Sequence, residues 1–161
     1  MLLMLRSDGG RYPPESTPCL GSCRTVRDVL TPRLPDECPP SAARPSGGVF
    51  YLYARPSLKL GERLAPTDWV YPWKKHRSEV KGRTDMCEAW AFSLWSSADT
   101  LREIREREPW TRAKSIAQLE LSAQDGVIMA SRSPMGDGHH DWWPPAGQTD
   151  HGGSVIEEAV G

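Results

Sequence analysis

Strand-forming segments give the clearest pattern along this chain. Apolar residues alternate with polar ones, or form short β-branched and aromatic runs bounded by Gly or Pro. An alternation at Leu58 and Leu60 indicates a turn or a further short strand before Gly61. The runs predict five main strands, at Val49–Ala54, Ala89–Trp95, Ile116–Leu121, Val127–Arg132 and His139–Trp143.

One helix is predicted between the second and third of these strands. Ser96 or Ser97 is placed to cap it, Asp99 suits its positive end, and Pro109 ends it. The order of elements predicts an α+β fold, a small mixed or antiparallel sheet of about five strands with one main helix packed on one face. Residues 89–121 fit a right-handed βαβ crossover. The Asp125-Gly126 turn predicts that residues 127–132 return as a hairpin partner of the third strand.

The ends of the chain differ from its middle. Residues 1–48 hold eight of the 15 Pro and none of the seven Trp, which predicts a disordered Pro-rich arm. Residues 49–143 hold all seven Trp and are predicted to be a single domain that folds alone, so that losing residues 1–48 costs almost no stability. Residues 144–161 are predicted to be a flexible tail, with one helical turn at Val155–Val160.

Composition sharpens this picture. Leu, Ile, Val and Phe number 28 of 161 residues, a low share for a core-forming chain, and indole rings are expected to replace the missing aliphatic mass. The shares of Gly, Pro and aliphatic residues exclude a coiled coil and a collagen, and the lack of a long apolar run excludes a membrane span. A cytoplasmic location without a membrane partner is expected, and the four Cys are interpreted as free thiols.

The first candidate site is a basic aromatic loop, residues 69–83. Residues 74–83 hold five basic side chains and one Glu. Aromatic rings beside cations are typical of surfaces that stack bases and pair with phosphates. We therefore expect a small soluble binding module for an anionic ligand or nucleic acid, and a solvated basic loop is the alternative. The residues expected to bind are Trp73, Lys74, Lys75 and Arg77.

The second candidate site follows the chain order Arg55, Ser96, Gln118-x-Glu120. This order resembles the arginine–serine–glutamate class of ADP-ribosyltransferases over about 66 residues, although Ser-Leu-Trp-Ser-Ser departs from that family's Ser-Thr-Ser. The resemblance implies an NAD-cleaving enzyme in which Arg55 binds a phosphate of NAD and Ser96 orders the nicotinamide pocket. It also implies that Gln118 contacts the acceptor and that Glu120 is the catalytic carboxylate. The alternative is a solvated sheet face.

The third candidate site is Asp137-Gly-His139-His140-Asp141. On a strand, His139 and Asp141 share one face whereas His140 points to the other. The two residues are expected to bind a ligand or to form an acid–base pair, and no metal site is predicted because zinc needs three or four ligands.

Overall fold

A seven-stranded antiparallel sheet forms the frame of the protein, whose computed structural model describes residues 34–75 and 80–160. The spatial order of the strands is β1-β5-β6-β3-β2-β4-β7. In chain order they are β1 Arg44–Pro45, β2 Gly48–Ala54, β3 Phe92–Trp95, β4 Ser115–Leu121, β5 Val127–Ala130, β6 His139–Trp143 and β7 Ser154–Glu157. The helix α1 is Ala98–Arg107, and short 3-10 turns lie at Pro66–Asp68, Pro72–Lys74, Cys87–Trp90 and Pro109–Thr111.

The sheet curls back toward its own edge. Only two residues separate β1 from β2 along the chain, yet β1 lies at one edge of the sheet and β2 is the fifth strand from that edge. Between them, the backbone N–H of Ser46 donates to the carbonyl of Gly126 at 3.0 Å, and its hydroxyl donates to the carbonyl of Ser122 at 2.7 Å. Gly126 has φ +99°, and a Cβ there would lie 2.2 Å from the carbonyl oxygen of Trp143, so only glycine fits this crossing.

The main core lies on the inner face of the sheet. Residues two apart on each strand point inward, among them Phe92 and Leu94 of β3 and Leu119 of β4. The segment after β2 covers them with Leu58, Leu64 and Trp69, which are between 2 and 8 % exposed. Aromatic rings fill this layer, so the indoles do replace aliphatic mass.

The helix α1 begins and ends where the sequence predicts. The hydroxyl of Ser97 accepts a hydrogen bond from the backbone N–H of Asp99 at 3.1 Å, and the helix ends before Pro109. Leu101 and Ile104 are buried in a second cluster with Trp95 and Ile116. Since β3 and β4 are both antiparallel to β2, they run parallel to each other. The helix therefore connects two parallel strands separated by one strand.

The sheet differs from the prediction in three places. It has seven strands, because β1 and β7 add to the five predicted ones. The strand β7 overlaps the segment that was predicted to form a helical turn. The segment β5 does not return beside β4; it pairs with β1 and β6, because the β4–β5 turn carries the chain to another part of the curled sheet. Residues 87–90 form a 3-10 turn, so the predicted strand Ala89–Trp95 begins only at Phe92.

The predicted domain limits also need correction. Residues 38–48 of the predicted arm are joined to the sheet by β1, by buried Ser46 and by a disulfide between Cys38 and Cys87. These two cysteines are thus not free thiols. The predicted tail contributes β7 and buried His151. The predicted disorder of residues 1–33 lies outside the described residues.

Not every Trp belongs to the core. Trp69, Trp95, Trp142 and Trp143 are buried, whereas Trp110 is 59 % exposed. Trp110 follows the helix in the 3-10 turn Pro109–Thr111, which directs its ring outward. Within the described ranges, the structure contains no helix with the length and apolar content needed to cross a membrane.

Candidate functional site

The basic aromatic loop is anchored by its rings. Tyr71 stacks on Phe92 with ring centroids 4.8 Å apart, and Trp73 lies 5.4 Å from Trp90. The indole N–H of Trp90 donates to the carbonyl of Thr84 at 3.0 Å. These contacts attach the loop to the core and keep Trp73 half-buried. The aromatic residues of the loop therefore pack against the core, and the neighbouring lysines are exposed at the surface.

The cations of this loop are held in different ways. The ammonium of Lys74 lies 4.8 Å from the ring centroid of Trp73, a cation–π contact. Arg83 forms an exposed ion pair with Asp85 at 3.0 Å. The predicted ligand residue Arg77 lies outside the described residues.

Among the described residues of the loop, Lys75 is an exposed cation that forms no ion pair. Desolvation by the surrounding protein lowers its pKa, and the positive charge of Lys114 lowers that pKa further. Within residues 34–75 and 80–160, neither lysine forms an ion pair. Lys114 stands just before β4, 39 positions along the chain from Lys75, and the fold places its charge where it acts on Lys75. An anion bound between them would relieve their repulsion.

The residues that carry the ADP-ribosyltransferase resemblance are spread along the sheet. Arg55 follows β2 and binds the Asp68 carboxylate at 2.7 Å, where it fastens the turn Pro66–Asp68. Glu120 pairs with Val49 at the opposite end of β2. Six residues of strand separate Arg55 from Val49, which is about 20 Å at ~3.3 Å per residue. The structure does not bring Arg55 and Glu120 together.

The other two members of this set lie between those ends. Gln118 is half-buried and pairs with Tyr51, and Ser96 follows Trp95, which also pairs with Tyr51. Glu120 itself is exposed and makes no ion pair with any residue that the structure describes. This arrangement fits the solvated sheet face that the sequence left open as the alternative.

His139 and Asp141 share one face of β6, as predicted, and His140 points to the other face, where it meets Phe50 at 5.3 Å. Burial lowers the pKa of His139 and raises that of Asp141. Nδ1 of His139 lies 2.8 Å from the hydroxyl of Ser131, which sequence reasoning missed. His139 is thus hydrogen-bonded to Ser131 within the sheet, on the same face as Asp141. The described residues contain no cluster of three or more metal ligands.

His151 is enclosed by aromatic rings on the inner face of the sheet. Its ring centroid lies 5.1 Å from those of Trp69 and Trp142 and 5.5 Å from that of Phe92. Its Nδ1 is buried and has no hydrogen-bond partner among the residues that the structure describes. Burial lowers its pKa, and the opposing charges of Asp150 and Asp125 act more weakly. His151 therefore stays neutral in the folded protein near neutral pH.

This histidine should make folding stability depend on pH. Because the pKa of His151 is lower in the folded chain, the unfolded chain takes up a proton first, below about pH 6.5. We expect the free energy of unfolding to fall between pH 6.5 and 5, by at most about 1.4 kcal/mol per pH unit from this residue. His139 acts in the same direction. Urea unfolding of the wild type and of His151→Leu at several pH values measures the effect, and equal pH slopes would rule it out.

Sequence reasoning identified the basic residues of the loop 69–83 but missed those that follow the helix. Trp110, Arg112 and Lys114 lie within five residues of each other, directly after the helix. One aromatic and two basic residues spaced two apart form a pattern that the sequence shows. The loop 69–83 was selected instead because its basic residues are more closely spaced. Only the folded structure shows that the charge of Lys114 acts on Lys75. No protein-family model, curated protein or solved structure matches this chain.

Proposed function

We propose that this protein is a binding module for single-stranded nucleic acid, and that Lys74, Lys75 and Lys114 hold the phosphates. The observation that carries the proposal is a group of exposed cations beside aromatic rings: Lys74 lies over the ring of Trp73, Lys75 follows it at the surface, and the charge of Lys114 contributes to the lowered pKa of Lys75. Single-strand binders combine such cations with aromatic rings on which bases stack. Trp110 supplies an exposed ring four residues before Lys114, whereas the ring of Trp73 is partly covered by Lys74.

The proposal predicts a salt-dependent affinity. Each phosphate neutralised on a single strand contributes about −0.7 to the slope of log affinity against log salt. We expect the double variant Lys75→Gln/Lys114→Gln to make the slope shallower by about 1.4 and to weaken binding about tenfold at low salt. Fluorescence polarisation of a labelled 20-nucleotide oligothymidine between 50 and 200 mM salt measures both.

The control removes the same number of charges elsewhere. Arg44 and Arg132 are exposed and lie at the β1–β5 side of the sheet. Arg44→Gln/Arg132→Gln should leave both the affinity and the slope within error of the wild type. If the two double variants weaken binding equally, the interaction is nonspecific attraction to overall charge, and the proposed surface is wrong.

An NAD-cleaving enzyme with Glu120 as catalytic carboxylate is a second, weaker proposal. The chain order Arg55, Ser96, Gln118, Glu120 supports this proposal. The register of β2 against β4 weighs against it, because Arg55 and Glu120 lie at opposite ends of β2. Its test is thermal stabilisation by NAD that Glu120→Gln or Arg55→Ala abolishes. The cytoplasmic location stays a prediction, and the disulfide weighs against it because disulfides persist mainly in oxidising compartments.

A further inference from the structure

Ser131, His139 and Asp141 form a polar cluster on the face of the sheet opposite the main core. The backbone N–H of Ser131 donates to the carbonyl of His139 at 3.0 Å, so the two residues lie opposite each other at the β5–β6 connection. Asp141 lies two residues further along β6 and therefore faces the same side. The fold thus places a hydroxyl, an imidazole and a carboxylate on one patch of the sheet.

The hydrogen bonds of the cluster centre on the Ser131 hydroxyl. It lies 2.8 Å from Nδ1 of His139. Burial raises the pKa of Asp141, and a hydrogen bond from the same hydroxyl lowers it. Burial lowers the pKa of His139, so its imidazole is neutral near pH 7 and can accept a proton at Nδ1. The negative charge of Asp141 favours the imidazolium that such a transfer forms.

The neighbouring strand β3 leaves the cluster accessible on one side. Ser93 pairs with Asp141 and is exposed, whereas Ser131, His139 and Asp141 are half-buried. Trp95 pairs with His139, and their ring centroids lie 4.7 Å apart. This packing holds the imidazole in place beside Ser131. The indole N–H of Trp95 is buried and has no acceptor among the residues that the structure describes.

From this arrangement we propose that Ser131 is a nucleophile, activated by His139, that hydrolyses carboxylic esters with a short acyl group. The hydroxyl proton moves to Nδ1 of His139 while Oγ of Ser131 forms a bond to the carbonyl carbon of the ester. The bond from that carbon to the alcohol oxygen then breaks, and the leaving oxygen takes the proton from His139. This step leaves Ser131 acylated.

A water molecule completes the reaction. It gives a proton to His139 and attacks the acyl carbon, the carboxylic acid departs, and Oγ of Ser131 recovers the proton. Asp141 acts as a positioning residue whose charge stabilises the imidazolium. The acyl group is short because Ser131 and His139 are half-buried, so a bulky chain would meet the side chains around them.

Labelling of the full chain with a fluorophosphonate, mapped by peptide mass spectrometry, tests the nucleophile. The reagent forms a bond from phosphorus to the serine oxygen and releases fluoride, with the same proton transfer to His139. We expect Ser131 to be labelled, and His139→Gln to slow the labelling at least about tenfold. Ser122 is the matched control and should stay unlabelled, because its hydroxyl lies 2.6 Å from the Asp125 carboxylate and meets no imidazole among the described residues.

The pH profile gives a readout that a purely structural hydrogen bond would not move. The charged groups that act on His139 are Asp141 and His140, and Glu88 acts in turn on Asp141. Because the pKa of His139 is lowered from 6.5, labelling of Ser131 should reach a plateau by about pH 7.5. An unassisted hydroxyl reacts through its alkoxide, about tenfold faster per pH unit.

Four results would overturn the inference. They are no labelling of Ser131 at millimolar reagent, equal labelling of Ser122, an unchanged rate in a folded His139→Gln variant, or a rate that still rises tenfold per unit above pH 7.5. If circular dichroism shows that His139→Gln does not fold, the wild-type pH profile decides. Release of p-nitrophenol from p-nitrophenyl acetate should exceed that of Ser131→Ala, and equal release would reject esters as the substrate.

Discussion

Trp142→Ala is expected to destabilise the protein by about 3–5 kcal/mol, the range for removing a fully buried aromatic side chain. Trp142 has no exposed surface, and its ring lies between 5.1 and 5.8 Å from the rings of Trp69, Phe92 and His151. Its indole N–H also donates to the carbonyl of Asp125 at 2.7 Å, so the substitution leaves a cavity and an unpaired acceptor. Guanidinium unfolding followed by circular dichroism measures the loss.

Trp110→Ala is the matched control for this prediction. It removes the same side chain from a position that is 59 % exposed, so its effect should stay within about 0.5 kcal/mol. If the two substitutions cost similar free energies, the distinction between core and surface indoles is wrong.

The second large effect concerns the link between Cys38 and Cys87. Replacing both cysteines with Ala opens a loop whose ends are 49 residues apart in sequence. The chain-entropy model gives a loss of about 4 kcal/mol for a loop of this length. We expect the double variant to show that loss in denaturant unfolding, together with looser pairing of β1. The oxidised wild type treated with a reductant should approach the stability of the variant.

Two outcomes would count against this account of the link. A double variant that unfolds within about 1 kcal/mol of the wild type would show that residues 38–48 add little, as the sequence alone predicts. Non-reducing peptide mass mapping that finds no peptide joining the two cysteines would show that the disulfide does not form.

Patterns among residues close together in the sequence predicted most of the strands and the helix. The run Val49–Ala54 and the alternation in Ile116–Leu121 match β2 and β4 almost to the residue, because their inward side chains are all apolar. The helix was predictable because Ser97 and Pro109 set its ends. In each case the deciding interactions lie within a few residues along the chain.

Non-local contacts produced the errors. The segment Val127–Ala130 has no local feature that favours β6 over β4 as its partner, and the curl of the sheet decides between them. Arg44–Pro45 is too short and too polar to predict a strand, and only pairing with β5 makes it one. The link from Cys38 to Cys87 depends on the same long-range arrangement.

The candidate site shows the same limit. Trp73, Lys74 and Lys75 were predictable because aromatic and basic residues are adjacent in sequence. Lys114 was not predictable, since it lies far from that loop along the chain and its neighbours show the pattern of a helix end. The separation of Arg55 from Glu120 likewise follows from the register of β2 against β4, which sequence spacing does not reveal.

The most direct test of the proposed binding surface is an NMR titration of the isotope-labelled full chain with oligothymidine. We predict that the backbone amide signals of Lys74, Lys75 and Lys114 shift progressively as oligothymidine is added, and that those of Val49 and Glu120 stay in place. A parallel titration with NAD separates the two proposals, because only the NAD-cleaving enzyme requires the signal of Glu120 to move when NAD is added. Shifts confined to Val49 and Glu120, or absent at Lys75 and Lys114, would contradict the proposed surface.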